Sequence, residues 1–174
     1  MDKIVFVDFD DTLFFTKHTV EKAAEIMLKK KVNKEQIRNL PKTIKSQIYF
    51  KAFNEFYKEA VPNKKLINIL KNLKRKGYNI IILTARPKEN IKSVKYLLRK
   101  YSVPFDEIIF RENLSSRDEE WKTQIIEKYS TNDIILFEDK LENIKYVIKH
   151  LNKPVKTFLV KSSKILKIRL KQQL

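Results

Sequence analysis

Residues 3–13 read Lys3-Ile4-Val5-Phe6-Val7-Asp8-Phe9-Asp10-Asp11-Thr12-Leu13, and the fold is decided there. An apolar run of β-branched and aromatic residues without alternation is what a parallel strand covered on both faces requires. It ends abruptly in Asp8, Asp10, Asp11 and Thr12. Open parallel sheets bind ligands at the carboxyl ends of their strands, so this acid cluster stands where a site is expected. Alternate residues of an extended segment share a face, which places Asp8 beside Asp10. Adjacent carboxylates repel unless a cation lies between them, and hard oxygen ligands suit Mg²⁺. The competing reading is a capped turn, with Asp11 or Thr12 at the N-terminus of the next helix.

Outward from this stretch, four more runs of the same kind follow, at 78–83, 107–110, 133–137 and 156–160. Helical stripes separate them: Leu66, Ile67, Ile69, Leu70 and Leu73; then Ile91, Val94, Leu97 and Leu98; then Trp121, Ile125 and Ile126; then Leu141, Ile144, Val147 and Ile148. Alternating strand and helix predicts a three-layer α/β fold with a parallel, Rossmann-like sheet. Gly77, the only glycine, follows the basic turn Lys74-Arg75-Lys76, where a helix commonly ends on a residue with φ > 0. Residues 15–62 break the alternation with two helical stripes, Val20 to Leu28 and Ile44 to Tyr57, punctuated by Pro41 and Pro62, and no convincing strand. They are predicted to form a small helical insert, leaving 1–14 and 63–174 as the core domain. The basic tail, 162–174, has no clear assignment.

The 174 residues suffice for one domain with its own core. The absence of cysteine excludes disulfides, thiolate metal sites and a thiol nucleophile. No signal peptide and no apolar run of membrane-spanning length is visible, so a soluble, cytoplasmic protein is expected. The net charge is +17. It is uneven: −3 over residues 1–16, +12 over 17–76, zero over 77–140 and +8 over 141–174. A basic chain suggests a polyanionic partner. Yet 31 Lys, 21 Ile and 12 Asn beside one Gly are also what AT-rich coding produces, so the charge alone decides nothing.

Three further segments carry candidate chemistry. The second strand ends in Thr84-Ala85-Arg86, a hydroxyl and a guanidinium able to hold a phosphate, or a polar strand end and a solvated loop charge. Trp121-Lys122 opens a helix with Asp118 four residues earlier, a spacing that also makes an ordinary surface ion pair. The fourth strand ends in Glu138-Asp139, followed by Asn143, as metal ligands or as a helix cap.

In this order, each at a strand end or in the helix after it, the four segments resemble the haloacid dehalogenase superfamily of phosphotransferases. The resemblance spans roughly residues 3–160. Asp8-Phe9-Asp10-Asp11-Thr12-Leu13 resembles its first motif, Thr84 its second, Lys122 its third, and Glu138-Asp139 with Asn143 its fourth. A receiver domain also uses paired Asp, Thr and Lys, but its phosphorylated Asp follows a third strand, whereas Asp106 here precedes one. Asp11 departs from the family, which more often has glycine there.

The resemblance implies a Mg²⁺-dependent phosphatase with an aspartyl-phosphate intermediate. Asp8 would be the nucleophile and Asp10 the general acid and base, with Thr84 and Lys122 on the phosphoryl oxygens. Mg²⁺ would be held by Asp8, the backbone carbonyl of Asp10, and Asp139, with Glu138 and Asn143 behind them. Asp11, Thr12, Ala85, Arg86, Arg111 and Asp118 are expected to line the substrate. The insert resembles a short form of the family's helical cap and is basic, with 11 basic against 5 acidic residues over 17–62.

Thr84-Ala85-Arg86 and the Arg111, Asp118, Lys122 set are similar to the 3′-phosphatase domain of phage-type polynucleotide kinases and related RNA-repair phosphatases. Nucleotide or polynucleotide phosphates, including nucleic-acid ends, are therefore the expected substrates. A sugar-phosphate phosphatase and a catalytically idle nucleic-acid-binding module are the alternatives. No kinase P-loop is possible with one glycine. Phe14 and Phe15 would either stack on a base or pack the core. The oligomeric state is not legible.

Overall fold

The computed structural model describes residues 2–112, 116–162 and 164–168. Its main sheet contains β1 (Lys3–Asp8), β4 (Tyr78–Thr84), β5 (Glu107–Phe110), β6 (Asp133–Glu138), β7 (Val155–Lys161) and β8 (Lys164–Ile168). The order is β5-β4-β1-β6-β7-β8. The first five strands pair in parallel; β8 returns antiparallel along the edge of β7. The sheet is therefore mostly parallel, as the sequence predicts, with one antiparallel strand added at its edge. The tail forms β8 because a turn at Ser162, with φ of 53°, folds it back onto the open edge of β7. Residues 169–174 lie outside the described residues.

Four helices cover the two faces. Residues of α4 (Lys64–Arg75) and α5 (Ile91–Lys100) pack with Val5, Val7, Ile80 and Ile82 on one side. Residues of α6 (Asp118–Glu127) and α7 (Leu141–His150) pack with Ile4, Phe6, Ile81 and Leu83 on the other. Each strand thus delivers alternate residues to two separate cores, which is why these runs are apolar throughout. Each fully buried large apolar side chain contributes about 1.5–3 kcal/mol. Gly77 adopts φ of 83° just past α4, as its position predicts.

Between β1 and α4 the chain builds α1 (Lys17–Leu28), α2 (Lys34–Arg38) and α3 (Lys42–Asn54) around a cluster of their own, with Val20, Ala23, Ile37, Ile48 and Phe53 at its centre. Helix α3 stops at Asn54, so Phe56 and Tyr57 fall outside the helix their stripe suggests. Two strands of two residues each, β2 (Phe14–Phe15) and β3 (Val61–Pro62), pair antiparallel where the chain leaves and re-enters the core. Strands that short leave no periodicity to read. Phe14 is fully buried and packs against Phe9 and Tyr101 at 5.0 and 5.7 Å, so it belongs to the core. Among the described residues no helix is long and apolar enough to cross a membrane.

Candidate active site

Strands β4, β1 and β6 are neighbours, and their carboxyl ends bring Thr84, Asp8 and Glu138 together. Lys122, on α6, reaches into this group with 1% of its side chain exposed. Its Nζ donates to Asp8 Oδ1 at 2.7 Å and to Glu138 Oε2 at 2.6 Å, and lies 3.5 Å from Asp118 Oδ2. The Asp118–Lys122 spacing is therefore a buried contact rather than a surface pair. Thr12 Oγ1 donates to Asp8 Oδ2 at 2.8 Å, so both oxygens of Asp8 are held in place.

Oxygens of Asp8, Glu138 and Asp139 lie within 4.8 Å of one another. Three carboxylates against the single ammonium of Lys122 leave an excess of negative charge in a buried space. Its effect shows in the acidities. Burial raises the Asp8 carboxyl; Lys122 opposes this, Glu138 and Asp118 reinforce it, and it settles at about 7. Burial, then the charges of Asp8 and Glu138, push Asp139 to about 9. Burial also disfavours ionised Glu138, but Lys122 outweighs it and holds that carboxyl low. Burial works against the Lys122 ammonium, and Asp8 and Glu138 overcome it, raising Lys122 well above its ordinary value. A site that resists its own ionisation fits a divalent cation with hard oxygen donors.

Glu138 and Asp139 divide the work. Glu138 Oε1 accepts the backbone N–H of Asp139 and of Lys140, both at 3.1 Å, while Oε2 accepts Lys122. Among the described residues no ammonium or guanidinium pairs with Asp139. Asp139 is thus the less committed donor.

Asp10 lies apart from the cluster. Arg86 Nε donates to Asp10 Oδ2 at 2.9 Å and Nη2 to Oδ1 at 2.7 Å, and Thr16 Oγ1 donates to Oδ1 at 2.9 Å. The Arg86 guanidinium lies against two rings, its centre 3.7 Å from the ring centroid of Phe53 on α3 and 4.8 Å from that of Phe9. Its Nη1 is buried and has no hydrogen-bond partner. Arg86 is therefore not a solvated loop charge.

The other predicted residues fall around this frame. Thr84 is fully buried, and its Oγ1 accepts the N–H of Arg86 at 3.2 Å. Ala85 is half-buried between them. Asp11 takes φ of 60°, the left-handed region that explains glycine at this position in the resembled motif. Its N–H donates to Phe14 O, and its Oδ1 accepts the N–H groups of Thr16 and Lys17 at the start of α1. Lys34 of α2 pairs with its other oxygen. Burial would raise the Asp11 carboxyl, but Lys34 and these hydrogen bonds hold it low. The carboxylate thus caps α1 from a distance, although Thr16 is the residue at the helix start.

Asp118 accepts from Asn143 at 3.0 Å and from Lys140 at 3.1 Å, and Arg111 lies 4.0 Å away. Arg111 also donates to Ser116 O, and its N–H to Thr84 O. Asn143 is thus tied to Asp118. Four participants escaped the sequence reading: Thr16, Lys34, Phe53 and Lys140. Lys140 follows Asp139 directly and carried a signal; the other three meet the site only through folding.

No family profile and no curated protein matches the chain. Solved structures do. The chain is similar to a haloacid dehalogenase-like family hydrolase from Streptococcus pneumoniae, at 15% identity and a TM-score of 0.68, over 92% of this chain and 85% of that one. The fold is haloacid dehalogenase-like. A CbbY from Rhodobacter sphaeroides, in complex with phosphate, shares the haloacid dehalogenase-like fold at 14% identity and a TM-score of 0.65, over 94% of this chain and 89% of that one. A chain of a Pnkp1/Rnl/Hen1 complex matches at 18% identity and a TM-score of 0.64, over 94% of this chain. There the present chain spans about half of its relative, 47%.

Proposed function

We propose that the protein is a cytoplasmic, Mg²⁺-dependent phosphomonoester hydrolase acting through an aspartyl-phosphate, on nucleotide or polynucleotide phosphates, 3′-phosphate ends included. The observation that carries the chemistry is Lys122 bridging Asp8 and Glu138 beside Asp139, at the carboxyl ends of adjacent parallel strands. Mg²⁺ would be held by Asp8, Asp139 and the backbone carbonyl of Asp10, and would supply charge neutralisation and orientation of the phosphoryl group. Glu138 would act from behind, holding Lys122 and the backbone before α7.

Asp8, fixed by Lys122 and Thr12, attacks phosphorus as the ester P–O bond breaks. The departing oxygen takes a proton from Asp10. Water then attacks the aspartyl-phosphate, Asp10 accepts its proton, and the Asp8 carboxylate is regenerated. Thr84 and Lys122 donate to the equatorial oxygens, where charge concentrates. The buried, unpartnered Nη1 of Arg86 supports a substrate-facing role for that guanidinium. The bidentate contact with Arg86 orients Asp10, and the stacking of Arg86 on Phe53 ties that orientation to the insert.

The polynucleotide reading draws on the Thr84-Ala85-Arg86 pattern, the basic insert, and the fold shared with a chain of the Pnkp1/Rnl/Hen1 complex. The test is phosphate release from a 3′-phosphorylated oligonucleotide, nucleoside monophosphates and sugar phosphates, with Mg²⁺ or chelator, and Asp8→Asn as control. Preference for the oligonucleotide supports the reading. Faster turnover of sugar phosphates overturns its substrate half, and undiminished turnover by Asp8→Asn overturns the mechanism.

A further inference from the structure

The charge of the chain is sided. Helices α4 and α5 lie on the same face of the sheet, over neighbouring strands. Helix α4 contains five basic residues and α5 four, with no acid in either. On the opposite face, α6 contains four acids and one lysine, the buried Lys122, and α7 one acid and two lysines. Compositional drift toward lysine would load both helical layers, because both present the same kind of solvated outer surface. It does not account for a layer without a single acid backed by one rich in them.

Within the basic layer α5 has the features of a binding surface. Lys92, Lys95, Tyr96, Arg99 and Lys100 line a hollow of about 450 Å³. Among the described residues none of its four cations forms an ion pair, whereas most of the acids on α6 do. Tyr96 is 38% exposed, flanked by Lys100 Nζ at 5.7 Å and Lys58 Nζ at 5.8 Å, and braced edge-on by Tyr57 at 5.4 Å. Cations that track a phosphate backbone around an exposed, braced aromatic ring are the means by which proteins hold single strands without reading sequence. An acidic membrane would be served by the charge, but gives no use to a single exposed ring held edge-on by a neighbouring tyrosine.

We infer that the α5 face, extended by α4, is a docking surface for single-stranded nucleic acid. Helix α5 starts five residues after Arg86, so a strand lying along it has one end at the carboxyl ends of the sheet strands. The inference deepens the proposed function and rests on it for the direction of the strand alone; the binding is read without turnover.

The experiment measures binding of a 20-nucleotide single strand to the full chain by fluorescence anisotropy across a salt series. Hydrolysis of p-nitrophenyl phosphate is the separate check on the site. One variant replaces Lys92, Lys95, Arg99 and Lys100 with Gln. A control removes four exposed charges elsewhere, by Lys128→Gln, Lys145→Gln, Lys149→Gln and Lys167→Gln. The α5 variant should lose at least about tenfold in affinity at 0.1 M salt, and its log–log salt slope should fall by roughly 2–3, at about 0.7 per single-strand phosphate contact. The control should lose much less, and aryl phosphate hydrolysis should persist in both. Tyr96→Ala should weaken binding several-fold and Tyr96→Phe restore it, which overall charge would not explain. Equal losses in both charge variants, unchanged binding in the α5 variant, or binding to phosphatidylserine vesicles but not to the oligonucleotide would each overturn the inference. Oligonucleotide binding without any phosphate release would leave the surface standing and sink the proposed hydrolase.

Discussion

Arg86 holds the Asp10 carboxylate with two of its nitrogens, at 2.9 and 2.7 Å, although the residues are 76 positions apart. A flat guanidinium matching a carboxylate in this way fixes the orientation of both groups, which a lysine cannot do. The ring of Phe53, 3.7 Å from the guanidinium centre, adds the insert to the same contact. The general acid of the proposed reaction is thus positioned by the core and the insert together.

Arg86→Lys should lower kcat about 10–100-fold on alkyl phosphates, whose leaving oxygen needs a proton, a part of the roughly 100- to 10,000-fold that a general acid contributes. On p-nitrophenyl phosphate, whose leaving group needs little protonation, the loss should be only a few-fold. Equal losses on both substrates would show that Arg86 acts through phosphate binding and not through Asp10. The measurement is kcat and KM for the two substrates side by side.

Lys122→Met should destabilise the fold by about 3–5 kcal/mol, because it leaves buried carboxylates without their cation. Its two hydrogen-bond partners, Asp8 and Glu138, are almost inaccessible, at 9% and 0% of their side chains exposed. Asp8→Asn combined with Lys122→Met should recover part of that loss. Urea denaturation of the single and double variants supplies the cycle, and strict additivity would contradict the pairing.

Mg²⁺ should raise the melting temperature, by an amount corresponding to about 2.7 kcal/mol at a hundred times its Kd. Asp139→Asn should abolish most of that increase without a comparable loss in the metal-free protein, since Asp139 pairs with no cation of its own among the described residues. Glu138→Gln should instead lower the stability of the metal-free protein, because it weakens the bond to Lys122. Thermal melts with and without Mg²⁺ separate the two.

Acid should weaken the fold through Asp118. Burial would raise its carboxyl, but Lys122 and Lys140, with hydrogen bonds from Asn143 and Lys140, hold it at about 2, below the ordinary 3.8. A carboxyl lowered on folding contributes stability above its unfolded pKa and loses it as pH falls through the folded value. The contribution, about 2 kcal/mol from the size of the shift, is therefore complete at neutral pH and fades between about pH 4 and pH 2. Asp118→Asn should flatten the stability curve in that window, which urea midpoints at each pH would reveal.

Much of this was written along the chain. The five strands of continuous Ile, Val and Phe could belong only to a sheet covered on both faces, and β1, β4, β5, β6 and β7 lie within one or two residues of the predicted bounds. The acids at the ends of β1 and β6 are local facts, as is Gly77 after α4. The two-residue strands β2 and β3 and the return of β8 were not legible, because they arise from pairing between edges rather than from any period of their own. Asp8, Lys122, Glu138 and Asp139 could be named from sequence; the commitment of Glu138 to Lys122 and of Asp10 to Arg86 could not.

The charge shows the division most clearly. Read along the chain, residues 77–140 carry as many basic as acidic side chains and look neutral. The fold sends the basic helix α5 and the acidic helix α6 of that window to opposite faces of the sheet. What the sequence by itself determined is the elements and the chemistry at their ends, because side-chain periodicity and strand-end residues are local. What only the tertiary structure decided is which side chains meet and which face carries the charge. Those depend on the direction of each crossover, through which residues far apart in sequence share one dielectric environment.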